Sequence, residues 1–136
     1  MNEKQRLECS QISDMSSEQA AEWIMNRYPL HSSDYGEAFI LIPHRSWSRS
    51  EQRKLANYYL RKIPFAGGRS YESLASIMPA RVLLVEVYKY LPDNKLDLEL
   101  LIYYLTPALL KCARADQDVQ AVEDFLREVG NRLGEK

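Results

Sequence analysis

The chain has 136 residues, of which 46% are apolar and 27% charged, and its formal net charge is −1. This balance lets apolar burial offset chain entropy, and it excludes a collagen-like or wholly disordered polypeptide. Five Gly and six Pro are too few for a turn-dense β sandwich. The longest unbroken apolar run, residues 100–105, falls far short of the roughly 20 residues of a membrane helix.

The charged start, Met1-Asn2-Glu3-Lys4-Gln5-Arg6, lacks the apolar core of a secretory signal, so none is expected. Residues 1–15 show no periodicity and are expected as a flexible N-terminal arm, which leaves 16–136 as a single helical domain. Ser16-Ser17-Glu18-Gln19 reads as a capping box, with Ser16 the cap and Gln19 reaching back. Ala20, Trp23, Ile24 and Tyr28 then recur at helical spacing, which predicts a helix over 17–28 ended by Pro29. Turn formers fill 30–37. The apolar run 38–42 before Pro43 fits a short buried strand or one helical turn. A lone strand would leave its ladder unpaired, so an irregular or helical segment is expected there.

Ser48-Arg49-Ser50-Glu51 is a second capping-box pattern, opening a helix over 49–63 that Pro64 stops. At about 100° per residue, Arg49, Arg53, Lys54, Asn57 and Arg61 share one arc, and Leu55, Ala56, Tyr58, Tyr59 and Ile63 share the opposite one. Residues 65–70 form a joint, with Ser70 as cap of a helix through 78, and Pro79 opens another over 79–91. The stretch 82–90 has high β propensity, but Arg81, Glu86 and Lys89 fall on both faces of a strand and within one arc of a helix. After the Pro92-Asp93-Asn94 turn, a largely apolar helix is expected over 96–113, kinked at Pro107. Asp116 caps a last helix over 116–133, Asp118 suits its first turn, and Val119, Val122, Phe125, Leu126, Val129 and Leu133 form its apolar stripe. The expected fold is all-α, a compact bundle of five or six helices. Its centre is 79–91 and 96–113, covered by 17–28, 49–63 and 116–133.

Charge is segregated. Residues 44–69 hold seven basic and one acidic side chain, net +6, between an acidic 1–43 at net −4 and an acidic 93–136 at net −3. Such a band either pairs with the chain's own flanks or is offered to an anionic partner. Its cations are Arg45, Arg49, Arg53, Lys54, Arg61, Lys62 and Arg69, interleaved with Trp47, Tyr58 and Tyr59. Cations attract phosphates and carboxylates, and exposed rings stack on bases. Arg49 sits in a first helical turn, where the dipole disfavours a cation and an anion would relieve the conflict. Gly67-Gly68-Arg69-Ser70 precedes a helix but matches no phosphate-loop or dinucleotide pattern. Tyr88, Tyr90, Tyr103 and Tyr104 are expected as core or groove lining, with a groove between the two apolar helices open to a partner helix.

Cys9 and Cys112 lie 103 positions apart, and His31 and His44 have no carboxylate at ligand spacing, so neither a zinc site nor another metal is expected. No nucleophile elbow or paired-carboxylate pattern stands out. These readings favour a non-catalytic, cytoplasmic protein-binding module, such as an adaptor, a regulator or an inhibitor, without cofactor or membrane contact. Its contact residues would be Arg45, Trp47, Arg49, Arg53, Lys54, Arg61, Lys62 and Arg69, facing a partner with an acidic surface. The alternative is a nucleic-acid-binding regulator using the same face. An apolar face left uncovered by helix packing would add a homodimer.

Overall fold

Local side-chain caps from Asn2, Ser16 and Asn94 start three of the helices, and apolar periodicity carries most of the others. A computed structural model describes residues 1–134, which form eight α-helices with short 3₁₀ turns and no strand among the described residues. The all-α expectation stands, while the count of five or six helices does not. The two additions are α1 (Glu3–Ser13) and the single turn α3 (Ala38–Leu41).

Helix α1 corrects the expectation of a loose arm over 1–15. Asn2 accepts from the Gln5 amide at 2.8 Å, and the Gln5 side chain accepts from the Asn2 amide at 3.0 Å, a complete capping box. Ile12 is fully buried, and it is the helix's one apolar side chain in the core, so no periodicity betrays it. Polar contacts dock the rest. Gln5 donates to Glu37 at 3.0 Å, and the Tyr28 hydroxyl donates to Glu8 at 2.6 Å.

Helix α2 (Ser17–Arg27) begins on the expected box, with Ser16 and Gln19 exchanging bonds at 3.1 Å. The apolar run 38–42 becomes α3 between 3₁₀ turns at Tyr35–Glu37 and Ile42–His44, and it buries Ala38, Phe39, Leu41 and Ile42. Helix α4 (Arg49–Tyr59) continues as a 3₁₀ turn, Leu60–Lys62. Its reciprocal box is not made. The Ser48 hydroxyl donates to the Glu51 carboxylate, and the Ser48 amide donates to the Ser17 hydroxyl at 3.0 Å, tying the starts of α2 and α4 together. Helix α5 (Arg69–Ile77) starts from Gly68 rather than from a Ser70 cap.

Helices α6 (Ala80–Lys89), α7 (Lys95–Cys112) and α8 (Asp116–Gly134) complete the described residues. The two apolar helices expected side by side at the centre each pack against α8 instead, α6 also against α4 and α7 also against α5. Helix α7 runs on through Pro107. Its carboxyl half and α8 flank a cavity of about 550 Å³ whose wall includes Met78, Cys112 and Asp118. In the core, Phe39 lies edge-on to Tyr59 at 5.2 Å and to Phe65 at 5.5 Å, and Phe65 meets Tyr71 at 5.1 Å. Such pairs add to the stabilisation from buried area alone.

Candidate interaction surface

The eight residues expected to meet a partner divide into two sets. Arg45, Trp47 and Lys54 are engaged within the fold. Arg45 sits against the carboxyl end of α1, a helix with no basic residue in its last turn. Its guanidinium donates to the carbonyls of Ile12 at 2.7 Å and Met15 at 3.0 Å, and it lies 4.7 Å from the Trp47 ring. It therefore supplies from a distance the cation that a helix carboxyl end favours. Trp47 is 6% exposed, and its indole N–H donates to the Ile42 carbonyl at 2.9 Å. Lys54 is paired with Glu22 of α2 at 3.1 Å, and this bond raises its ammonium pKa above the ordinary value.

Arg45→Ala is expected to cost about 1–3 kcal/mol, since it removes charge-assisted bonds to two helix-end carbonyls. Arg53→Ala should be neutral within about 0.5 kcal/mol, as an exposed position with no lost contact. Urea unfolding of the two variants side by side checks this. Equal stability would remove Arg45 from its role as a strut.

Arg49, Arg53, Arg61, Lys62 and Arg69 are all exposed. Among the described residues, none of them forms an ion pair with a carboxylate. Arg49, Arg53, Asn57 and Arg61 succeed one another at four-residue steps, so they form one row along α4 and its 3₁₀ extension. Arg61 reaches back to Asn57 at 3.2 Å, and Asn57 donates to Glu86 of α6 at 3.1 Å. Arg49 resolves its conflict with the helix dipole by donating to Gln52 at 3.0 Å, with Glu51 in the same turn. Lys62 and Arg69 stand apart from this row. The Lys62 ammonium lies 5.4 Å from the Tyr35 ring, and Arg69 and Tyr35 line one shallow depression.

The aromatic residues of the band are not on this surface. Tyr59 is fully buried and donates to the Tyr28 carbonyl at 2.9 Å, while half-buried Tyr58 accepts from the Leu30 amide at 2.9 Å. The row therefore offers guanidinium groups without a stacking platform.

Tyr103 corrects a different expectation. Read as core or groove lining, it is 71% exposed. Helix α7, expected at the centre of the bundle under covering helices, leaves a whole side uncovered, because α5 and α8 fill its other side and the described chain holds no further element to cover it. The signal was present as apolar residues 96, 100, 103, 107 and 110. It was masked by apolar residues on the remaining sides of the same helix.

His31 and His44 are both exposed, Cys9 and Cys112 are unpaired and half-buried, and burial raises both thiol pKa values. Among the described residues no three His, Cys, Asp or Glu side chains are grouped to hold a metal ion, and no helix is long and apolar enough to cross a membrane. Comparison with known protein families, with curated proteins and with solved structures gives no match.

Proposed function

We propose that this chain is a non-catalytic, cytoplasmic protein-binding module that captures an acidic protein surface with the outer row of α4. The observation that carries this reading is that Arg49, Arg53 and Arg61 share one exposed line with no carboxylate paired to any of them. Three guanidinium groups on a rigid helix favour fast, oriented association and bidentate carboxylate contacts. Lys62 and Arg69 would extend the contact beyond the helix. Arg45, Trp47 and Lys54 leave the contact set, since their groups are already used.

The same row could draw a phosphate backbone, but base readout on single strands relies on exposed rings. Burial of Trp47 and Tyr59 supports a protein partner over nucleic acid.

The double variant Arg49→Glu/Arg53→Glu should reduce partner capture from lysate about tenfold or more, through like-charge repulsion at the contact. Its helical circular dichroism should match the parent. Capture by the parent should survive nuclease treatment, and anisotropy with DNA and RNA oligonucleotides at low salt should stay flat. Undiminished capture by the variant removes the basic row from the account. Capture lost to nuclease, or oligonucleotide binding that weakens steeply with salt, transfers the row to nucleic acid.

A further inference from the structure

Helix α7 is apolar on two opposite sides. One side, with Leu98, Leu101, Leu105 and Leu109, is buried in the core. The other carries Leu96, Leu100, Tyr103, Pro107 and Leu110 at steps of four, three, four and three residues. Leu96 is 78% exposed, Tyr103 71% and Leu110 62%. These steps are those of a coiled-coil seam, and at 1.5 Å per residue the stripe is about 21 Å long. Contiguous apolar stripes of this size on a surface mark interfaces.

The charges flanking the stripe indicate what fits it. Asp93, Asp97 and Glu99 lie at its amino end, beside Lys95, and Lys111 and Arg114 lie at its carboxyl end. Glu99, Lys111 and Arg114 form no ion pair among the described residues. Asp97 and Lys111 are fourteen positions apart, two full heptads, so they border the same edge of the stripe. A second copy laid parallel would set acidic end on acidic end. Laid antiparallel about a two-fold axis, it sets Asp97 beside Lys111 of the second copy, and the symmetry repeats the pair. The helix dipoles then also oppose favourably.

We propose that the chain forms a symmetric dimer through this side of α7, the two helices antiparallel and the Tyr103 rings close to the two-fold axis. This surface is independent of the basic row on α4.

Sedimentation equilibrium of the full chain, from about 1 to about 100 μM, reads the association directly. The parent should be a concentration-dependent dimer. Tyr103→Glu, at a position too exposed to hold the core, should raise the dimer dissociation constant at least about tenfold by burying a charge without a partner. Leu110→Glu should do the same from a second exposed position. Asp97→Lys and Lys111→Glu should each weaken self-association, because each sets like charges together. An equimolar mixture of those two variants should recover dimer, since every facing pair is then opposite in sign. A parent that stays monomeric across the range overturns the proposal, as does a dimer indifferent to Tyr103→Glu and Leu110→Glu. Failure of the mixture to recover dimer rules out the antiparallel pairing.

Discussion

Asp118→Ala should lower the stability of the fold by about 2–3 kcal/mol, the sum of a lost helix cap and a lost charged hydrogen-bond pair. Asp118 is 5% exposed and lies in the first turn of α8, but its carboxylate serves α6. Helix α6 begins after Pro79, which has no side-chain acceptor to offer, so its leading amides need outside partners. The Arg81 amide donates to Asp118 at 3.0 Å, and the Arg81 guanidinium spans both carboxylate oxygens at 3.0 and 3.1 Å. One side chain thus caps a helix 37 positions earlier in sequence and neutralises Arg81 at its start. The ends of α6 and α8 are held together where their faces begin to pack, and Phe125 meets Tyr88 edge-on at 5.3 Å farther along. Asp118→Asn keeps an oxygen for the Arg81 amide and loses only the charge, so about half of the loss should return. Urea midpoints measure both, with the slope unchanged. An alanine variant within about 0.5 kcal/mol of the parent would mean that water replaces Asp118 at the start of α6.

That role was invisible in the sequence, where Asp118 read only as an acid favoured by its own helix dipole. The frame was legible where the determining contacts are local. Ser16 with Gln19 starts α2, Pro29 follows its end, and the stripe Val122, Phe125 and Val129 seats α8. It was illegible where one residue type meets different neighbours. Arg45 and Arg53 look alike in a basic band, yet one closes α1 and the other faces solvent, and only the position of Ile12 and Met15 decides this. Trp47 reads as a contact residue because it lies between Arg45 and Arg49 in the basic band, while its bond to the Ile42 carbonyl holds it inside. Helix α1 escaped notice because polar bonds from Gln5 and Tyr28, rather than a hydrophobic stripe, fasten it. In α7, Leu96 and Leu98 are indistinguishable by hydropathy, so the sequence could not separate a core face from an uncovered one.

Alkaline solution should unfold the chain cooperatively, because three fully buried tyrosines lose their protons far more readily in the unfolded chain. Tyr28, Tyr59 and Tyr71 are completely shielded from solvent. Burial pushes the Tyr71 hydroxyl up to about 12 despite the bond it accepts from the Phe65 amide, which acts the other way. Burial, together with the bond to Glu8, raises Tyr28 far above its ordinary value, and burial raises Tyr59 likewise. In the unfolded chain each ionises near 10. Below that pH both states hold these protons, and the tyrosines contribute no pH dependence. Above it the unfolded state releases them while the folded state keeps them, so stability falls until the folded hydroxyls also ionise. Each tyrosine contributes about 1.4 kcal/mol per pH unit, and three together give about 4 kcal/mol per unit. The raised thiols of Cys9 and Cys112 act in the same direction and move the onset toward pH 9. Urea midpoints followed from pH 8 to 11.5 should therefore stay level and then drop steeply, with unfolding releasing at least three tyrosine protons at the upper end, to which Tyr88 adds because burial and a bond to Glu128 raise it as well. Tyr28→Phe should reduce that release by about one. It is the gentlest of the three replacements, because Glu8 keeps its ion pair with Arg27 at 3.5 Å. A midpoint that holds constant to pH 11.5 would show that these hydroxyls reach water in the folded chain, and the close packing around Phe39 and Phe65 would have to be abandoned with them.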